Sequence, residues 1–551
     1  MQTRPWLAHY PKGVPANINE PEHKSLIDYI GETFKKYKKS TAFQNFGKSI
    51  TYGEVDKLST KFGAYLQSRG LEPGDKIALM MPNVLQYPVA VFGALKAGLI
   101  VVNTNPLYTP REMEHQFKDS DAKAILIADN FTANLEKILD KTDIGVVITT
   151  SIGEMLGMLK GGMINFVLKN VKRVVPKHNL QNTVTFKEAI SSGGKFTLKE
   201  TPKNLDDVIV LQYTGGTTGV SKGAMLTNKS LLSNMMQTKA WMEGSLRVSD
   251  EVVLSPLPLY HIFAFTVNCL AMMALGAKTV LVTNPRDMKS LVKEFKTNKI
   301  TTMTGVNTLF NALINNEEFK ELDLDLRVTV GGGMAVQQIV SEKWKEVTGC
   351  VLSEGYGMTE ASPVVTVNPI DGTAKMNTIG MPIPSTDVAI FGEKNEMLPV
   401  GEVGELRVKG PQVMKGYYNR PEETAKCFID GWLCTGDMAI MQEDGFFKIV
   451  DRKKDMIIVS GFNVFPNEIE DVLAMHPKVL EVAAIGVPHE KSGECVKVFI
   501  VKKEKSLKED ELIQYARENL TGYKVPKHVE FIKELPKSNV GKILRRKLRD
   551  V

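Results

Sequence analysis

The feature that most constrains the fold of this chain is a repeated alternation of short apolar runs with segments of helical periodicity. The runs 76–81, 99–103 and 124–127 are almost continuously apolar, as expected of strands buried on both faces. The helix-forming segments 84–97 and 110–118 lie between them. This order predicts parallel sheets covered by helices on both sides, which is a doubly wound α/β fold. Further apolar runs extend the pattern at 208–213, 278–282, 301–305 and 328–330.

The length of the chain and a change of texture along it predict more than one domain. A chain of 551 residues exceeds what a single hydrophobic core organises. Near Leu406, short strands and glycine-rich turns replace the earlier pattern, which predicts a smaller β-rich subdomain. We expect a large N-terminal domain over 1–451, a charged joint over 452–455 and a small α+β domain over 456–551. The last residues, 532–551, are rich in charge and are expected to form a solvated tail.

Composition limits the functional classes that fit the chain. The 69 Lys and Arg residues exceed the 63 Asp and Glu residues by only six, which is too little to indicate a nucleic-acid partner. Five widely spaced cysteines predict free thiols in a reducing compartment rather than disulfides or a zinc site. The start lacks the apolar core of a secretory signal, and the uncharged stretch 252–277 is interrupted by Pro256, Pro258 and His261. We therefore expect a cytoplasmic protein.

A loop rich in glycine and threonine directly follows one of the predicted strands. Residues 213–224 read Tyr-Thr-Gly-Gly-Thr-Thr-Gly-Val-Ser-Lys-Gly-Ala. Glycines let the backbone approach phosphate oxygens, hydroxyl and N–H groups donate to them, and Lys222 adds a full charge. A flexible turn alone would not need three hydroxyls and a lysine among its glycines. The loop therefore predicts a phosphate site, although not a Walker A loop, because Ser221 precedes Lys222 and Gly223 follows it.

Further motifs follow this loop along the chain. They are Pro-Leu-Tyr-His at 258–261, Gly-Gly-Gly at 331–333, Glu-Gly-Tyr-Gly-Met-Thr-Glu at 354–360, Gly-Trp-Leu-Cys-Thr-Gly-Asp at 431–437 with Arg452, and Pro-Lys-Ser-Asn-Val-Gly-Lys at 536–542. The complete set resembles the adenylate-forming superfamily of acyl-CoA synthetases, luciferases and peptide-synthetase adenylation domains. The resemblance implies an enzyme that joins a carboxylic acid to the AMP part of ATP and then passes the acyl group to coenzyme A. It also implies a C-terminal domain that moves between the two steps.

The resemblance implies a role for each motif residue. Contacts with ATP or AMP are expected for Tyr213, Thr214, Gly215, Gly216, Thr217, Thr218, Gly219, Lys222, Gly333, Gly355, Tyr356, Gly357, Thr359, Asp437, Arg452 and Lys542. Catalytic roles are expected for Lys542, Glu360, Lys222 and His261, with Glu360 and Thr217 as Mg²⁺ ligands. Coenzyme A is expected to contact Ser460 and Gly461, and the hinge is expected at Lys454.

Elementary chemistry gives a physical reason for three of these roles. Attack of a carboxylate on the α-phosphate of ATP brings two anions together, so the reaction needs a metal ion and a nearby cation. Glu360 offers the hard oxygen that Mg²⁺ prefers, and the ionised Asp437 can accept hydrogen bonds from both ribose hydroxyls. The resemblance assigns this cation to Lys542. Plain structural alternatives stay open, namely a helix cap for Glu360, a turn for Asp437, a solvated charge for Lys542 and a core residue for His261.

The identity of the acid rests on resemblance more than on physics. The segments 105–110, 304–311, 430–454 and 463–468 resemble bacterial long-chain fatty acid–CoA ligases, which implies a long-chain fatty acid as substrate. Residues 262–274 are rich in Phe, Met and Leu, and they fit either an acyl tunnel or plain core. Two alternatives stay open, a medium-chain or aryl acid as substrate and a carrier-protein thiol as acceptor. A non-catalytic nucleotide sensor is disfavoured because the charged motif residues occur together.

One basic, apolar segment is not part of the motif set. Residues 155–180 contain no Asp or Glu, while Lys160, Lys169, Lys172 and Arg173 lie among many large apolar residues. The pattern fits a helix that lies in the headgroup region of a membrane, and it equally fits an amphipathic helix packed on its own domain. Peripheral contact with the cytoplasmic face of an anionic membrane therefore stays open. A homodimer also stays open, independently of this segment.

Overall fold

The computed structural model describes residues 4–214, 221–490, 492–538 and 541–549. Two large mixed sheets, a small antiparallel sheet and a C-terminal α+β unit make up this part of the chain. The predicted α/β class with a smaller second unit is confirmed. The five cysteines are free thiols, as expected. No helix within these ranges combines the length and apolar composition needed to cross a membrane.

The first large sheet has seven strands, and the two strands that flank the predicted phosphate loop lie at one edge. Its strands run parallel except for the last pair, which runs antiparallel on either side of that loop. In spatial order the strands are Val184–Thr185, Val146–Thr150, Ala122–Ala128, Lys76–Met80, Ile100–Asn103, Val208–Thr214 and Lys222–Thr227.

The second large sheet has nine strands, with a parallel centre and antiparallel strands at both edges. The central strands lie entirely in the core, since they are buried along their whole length. In spatial order they are Met381–Pro382, Val364–Val367, Leu352–Gly357, Val328–Gly331, Thr302–Gly305, Val252–Ser255, Lys278–Leu281, Thr41–Asn45 and Lys48–Thr51.

Helices pack against these sheets and against each other at short range. The helix Tyr52–Ser68 begins with a capping box of Thr51 and Glu54, which satisfies free N–H groups in its first turn. It approaches the helix Gln86–Lys96 so closely that a Cβ on Gly63 would lie 2.7 Å from a backbone oxygen. The other helices of the large unit are Leu26–Lys36, Pro110–Asp119, Thr132–Glu136, Met158–Phe166, Phe186–Gly193, Asn228–Met242, Ile262–Ala264, Met272–Ala274, Met288–Thr297, Asn307–Ile314, Glu317–Lys320, Gln338–Thr348 and Pro421–Cys427.

The predicted β-rich subdomain is an antiparallel sheet that ends at the charged joint. Its strands are Asp387–Phe391, Gly404–Lys409, Trp432–Met441, Phe428–Ile429 and Phe447–Arg452. Beyond the joint, another five-stranded sheet carries its own buried apolar cluster. The strands of that unit are Phe462–Val464, Ile457–Val459, Gly493–Lys502, Val479–His489 and His528–Ile532, and its helices are Pro466–Ala474, Glu509–Asn519 and Arg545–Arg549.

The expectation of a solvated tail over 532–551 is wrong for the described part of that segment. Leu535 and Leu548 are buried and pack with Phe499 of the small sheet. The Arg545 side chain is also mostly buried, where it is paired with carboxylates. The charged composition misled the prediction because guanidinium and apolar groups of this segment are both covered by tertiary contacts.

Candidate active site

The strands around the phosphate loop position Tyr213, Thr214 and Lys222. Thr214 lies opposite Lys222 in the antiparallel pair, so these two residues lie side by side at one sheet edge. The Tyr213 hydroxyl donates to Asp119 Oδ2 at 2.7 Å. The predicted contacts Gly215, Gly216, Thr217, Thr218 and Gly219 lie outside the described residues, and so does the metal-ligand role of Thr217.

Lys222 and Glu360 share a neighbour that sequence reasoning missed. Tyr417 donates its hydroxyl to Glu360 Oε1 at 2.6 Å, and the Lys222 ammonium lies 4.6 Å from the centroid of its ring. Lys222 is also ion-paired with Glu423. Tyr417 reaches this place because its segment pairs with the strand Lys222–Thr227. Nothing in the local sequence marks Tyr417, since the contact joins residues far apart in the chain.

Glu360 is a buried carboxylate in a position suited to a metal ion. It lies in the short turn Thr359–Ala361 and exposes only 8% of its surface. Among the described residues, no group of three or more His, Cys, Asp or Glu side chains could form an all-protein metal cage. Mg²⁺ normally takes one or two carboxylates and fills its other positions with substrate phosphates and water. The chemistry of Glu360 therefore fits Mg²⁺ that arrives with ATP.

A second group of residues surrounds Asp437. The Tyr356 hydroxyl donates to Asp437 Oδ2 at 2.6 Å, and Arg452 Nε lies 3.2 Å from Asp437 Oδ1. Asp437 and Arg452 are direct partners in the antiparallel pair of strands Trp432–Met441 and Phe447–Arg452. Each carboxylate oxygen has two lone pairs, so Asp437 retains acceptor capacity for ribose hydroxyls. Burial and the Asp437 charge raise the pKa of Tyr356, which keeps its hydroxyl a donor.

The structure brings Lys542 to the large unit, beside the glycine motif at 331–333. A Cβ built on Gly333 would lie 3.7 Å from Lys542 Cε. The loop is held there by Thr308, whose hydroxyl donates to Gly541 O at 3.4 Å. Burial and the positive charge of Arg452 lower the pKa of Lys542 to about 8, against the opposing effect of Asp437 and Glu360. The residue is therefore not the simple solvated charge that its basic sequence context suggested.

His261 lies in a loop that is fixed by buried amide and hydroxyl groups. Asn83 Oδ1 accepts the N–H of Leu259 at 2.8 Å, Tyr87 donates to Leu259 O at 2.9 Å, and Gln212 donates to Tyr260 O at 3.0 Å. Burial and the Lys542 charge lower the pKa of His261 to about 3, so its imidazole is neutral. A polar residue inside an apolar run, such as Gln212, indicates a buried hydrogen bond but not its partner, so the sequence alone could not identify this scaffold.

The apolar segment after His261 is mainly core. Ile262 and residues 264–275 are buried, and Asn268 within it donates to Thr304 Oγ1 at 2.8 Å and to Ser255 Oγ at 2.9 Å. Phe263 is the half-buried exception, and a Cβ on Gly332 would lie 3.2 Å from its ring. Of this segment, Phe263 is therefore the side chain placed beside the glycine motif.

The motif 354–360 forms the end of the strand Leu352–Gly357 and the following turn. Gly357 has no room for a side chain, because its Cβ would lie 2.2 Å from Pro363 O. Gly355 has more space, with the nearest atom 3.5 Å away. Burial raises the pKa of Glu354 to about 8, although the Val336 N–H donates to it at 3.1 Å. The nucleotide contacts of Gly355, Gly357 and Thr359 stay predictions.

Ser460, Gly461 and Lys454 lie in the joint and the unit that follows it. Ser460 and Gly461 form an exposed turn with positive φ values of 53° and 82°. The Ser460 N–H donates to Ser492 O at 2.8 Å, so this contact stays inside the small unit. Lys454 is exposed in the turn after the strand Phe447–Arg452. A cleft of about 900 Å³ separates the two units, with Pro258 and Thr308 on one side and Ser538 on the other.

Comparison with known proteins identifies the class to which this fold and site belong. A family model described as AMP-binding enzyme matches residues 31–418, and one described as AMP-binding enzyme C-terminal domain matches residues 468–542. The chain belongs to the AMP-binding enzyme family.

Individual relatives cover nearly the whole chain. A protein of Escherichia coli O6:H1 named long-chain-fatty-acid–CoA ligase is 53% identical over 547 residues, which span 99% of this chain and 98% of the relative. A Yersinia pestis protein of the same name is 54% identical over 547 residues, with 99% and 97% covered. The crystal structure of ATP-bound MatB from Rhodopseudomonas palustris superimposes with a TM-score of 0.79 at 26% identity, over 95% of this chain and 98% of that one.

Proposed function

We propose that this chain is an AMP-forming long-chain fatty acid–CoA ligase. It converts ATP, a long-chain fatty acid and coenzyme A into acyl-CoA, AMP and diphosphate through an acyl-adenylate. The observation that carries this function is identity above 50% over nearly the full chain with relatives that have this name. The alternatives, another carboxylate as substrate or a carrier-protein thiol as acceptor, are not favoured by those relatives.

In the first step, an oxygen of the fatty acid carboxylate bonds to the α-phosphorus of ATP, and the bond to the diphosphate oxygen breaks. Negative charge accumulates on the phosphate oxygens, so positive groups fixed in advance lower the barrier. We assign Lys542 to the attacking and bridging oxygens, Lys222 to the polyphosphate, and Asp437 to the ribose. Mg²⁺ held by Glu360 would neutralise phosphate charge in this step. Arg452 supports the site by orienting Asp437.

In the second step, the sulfur of coenzyme A bonds to the acyl carbon, the bond to AMP breaks, and the thiol proton is released. Lys542 already occupies the side of the site next to Gly333, so a second substrate needs that space opened. We therefore assign a rotation of residues 456–551 about Lys454, which would carry Lys542 away and bring Ser460 and Gly461 to coenzyme A. Hinges of this kind are short segments that absorb a change in backbone angles.

A substrate panel tests the function. Diphosphate release should be measured with acids of increasing chain length and with an aryl acid, each with and without coenzyme A. The proposal expects the fastest turnover with long-chain acids, and sustained turnover only when coenzyme A is present. Preference for an aryl or medium-chain acid, or equal turnover with a carrier-protein thiol as acceptor, would contradict it.

We also propose that this cytoplasmic enzyme binds peripherally to anionic membranes, where its substrate partitions. The segment predicted for this contact forms the helix Met158–Phe166 followed by a π-helical turn, Val167–Val171. Met158 and Leu159 are each 91% exposed and Phe166 is 60% exposed. The inner face of the helix packs on the protein through Gly161, which lies against Gly153, and through Ile164 and Leu168. Met158, Leu159 and Phe166 are directed outward instead, which favours a partner for that outer apolar face.

Charge indicates which partner covers this face. Lys169, Lys172 and Arg173 are exposed beside the apolar residues, and the segment contains no carboxylate. Each basic residue near an anionic surface contributes about 1 kcal/mol, and each large apolar side chain that becomes buried contributes about 1.5–3 kcal/mol. In a homodimer that pairs this face with itself, the basic residues of the two copies would instead repel each other.

Vesicle co-sedimentation tests the membrane contact. Replacing Lys169, Lys172 and Arg173 with Glu should abolish binding to phosphatidylserine vesicles at low salt, while activity on detergent-dispersed substrate is retained. The matched control replaces the exposed Lys503, Lys505 and Lys508 with Glu, which changes net charge equally and should leave binding intact. Equal sedimentation of the first variant and wild type would refute the contact. A dimer without lipid that is lost in Leu159→Ser would instead assign this face to self-association.

A further inference from the structure

Arg545 forms ion pairs with a carboxylate that precedes the joint and with one that follows it in the sequence. Arg545 follows Lys542 closely in the chain, and its side chain is mostly buried. Its guanidinium forms a two-pronged pair with Glu470, with Nε 3.0 Å from Oε1 and Nη2 2.8 Å from Oε2. It also lies 3.3 Å from Asp451 and 3.7 Å from Asp455. Such a fork is geometrically specific, because the planar guanidinium matches the shape of a carboxylate.

Asp451 differs from the other two partners in its position along the chain. It precedes the joint in the strand Phe447–Arg452, whereas Asp455 and Glu470 follow Lys454. Its carboxylate is completely buried. The large unit also holds the next part of the joint, since the Lys453 N–H donates to a backbone oxygen of that unit at 3.0 Å. Asp451 therefore belongs to the stationary side of any rotation about Lys454.

The contacts of Asp451 reach across the joint to the small unit. Its Oδ1 is the atom next to Arg545, and its Oδ2 accepts the backbone N–H of Asn467 at 2.8 Å. A rotation about Lys454 would leave the pair of Arg545 and Glu470 intact, because both would move together. The same rotation would break both contacts of Asp451 with the small unit. Burial raises the pKa of Asp451 to about 6, and the Arg545 charge opposes that shift, so Arg545 helps to keep this carboxylate ionised.

We propose that Asp451 is a positioning residue that stabilises the domain orientation in which Lys542 faces the nucleotide. The inference rests on the proposed two-step function and adds the contact that holds the first-step orientation. Arg545 connects Asp451 to Lys542, because Arg545 lies on the same segment as Lys542 and is ion-paired with Glu470. Contacts made in only one of two conformations shift the balance between them by their own free energy. Loss of the Asp451 charge should therefore favour the second-step orientation.

Separate half-reactions of Asp451→Asn test this role. Adenylation should slow about 10-fold, as expected when about 1.4 kcal/mol is lost from one of two states. Acyl transfer from supplied acyl-adenylate to coenzyme A should be unchanged or faster. Asp451→Glu retains the charge and should recover part of the adenylation rate. Asp510→Asn is the control, because it makes the same chemical change at an exposed carboxylate of the small unit away from the joint, and it should leave the ratio of the two rates unchanged.

An exchange measurement on the wild-type chain keeps the inference testable if the variant does not fold. The backbone N–H of Asn467 should exchange faster when acyl-adenylate and desulfo-coenzyme A, which lacks the reacting thiol, are added together. Unchanged exchange, or an equal loss of both half-reactions in a folded Asp451→Asn, would overturn the role of Asp451 alone. A wild-type chain that forms no acyl-CoA would instead contradict the proposed function.

Discussion

Replacing Lys542 with alanine removes the positive charge that we assign to stabilising the transition state of adenylation. Among the ion pairs of the described residues, Arg452 is matched by Asp437 and Lys222 by Glu423, whereas Lys542 has no carboxylate partner. Its charge is therefore not already neutralised when ATP and the acid bind. Loss of one fixed donor from a charge-stabilising site lowers the rate by about 10²–10³. We expect a loss of this size in adenylation and little change in transfer from supplied acyl-adenylate.

Rapid-quench measurement of the two half-reactions separates these outcomes. Adenylation is followed as diphosphate release in a single turnover, and transfer as acyl-CoA formed from synthetic acyl-adenylate. Lys533→Ala, at an exposed lysine of the same unit, is the matched control and should change neither rate. Equal losses in both half-reactions of Lys542→Ala would refute the reasoning, because the lysine would then act on folding or on a shared step.

Three further predictions concern the joint, pH and the metal. Lys454→Pro fixes φ near −65°, so acyl transfer should slow far more than adenylation, and unchanged rates for both steps would refute the hinge. The pKa of Lys542 near 8 in the free enzyme means that its charge is present below that pH and lost above it, so kcat/KM for adenylation should fall through about pH 8. Lys542→Arg should remove this fall, and a level wild-type profile would contradict the assignment. Tyr417→Phe removes the hydroxyl that holds Glu360, so the Mg²⁺ concentration for half-maximal adenylation should rise about 10-fold, and an unchanged Mg²⁺ titration would exclude this support.

The α/β core could be predicted because its pattern is local. Strands such as Lys76–Met80 and Ala122–Ala128 are buried on both faces, and continuous apolar runs are what such strands require. The end of the chain could not be predicted in the same way. Arg545 was one more cation in a basic run, and its burial depends on Glu470 and Asp451, which lie far away in sequence. A contact between residues that are far apart in the sequence leaves no periodic pattern in it.

In the candidate site, too, some residues could be predicted from the sequence and others could not. Glu360, Asp437 and Lys542 belong to short motifs whose residue types suit their chemistry, so they could be named from the sequence. The residues that orient them could not, because each is joined to its partner by tertiary structure alone. Tyr417 at Glu360 is one example, and Gln212 behind the His261 loop is another. Both donate a single hydrogen bond from a position that has no motif of its own.

The fate of one oxygen atom tests the central claim most directly. A long-chain fatty acid labelled with ¹⁸O in its carboxylate should be incubated with the purified chain, ATP, Mg²⁺ and coenzyme A, and the products analysed by mass spectrometry. Attack on the α-phosphorus followed by thiol attack on the acyl carbon leaves one carboxylate oxygen on the phosphate of AMP. We predict AMP that carries one ¹⁸O atom and diphosphate that carries none. Label in diphosphate, or unlabelled AMP beside newly formed acyl-CoA, would contradict the acyl-adenylate route.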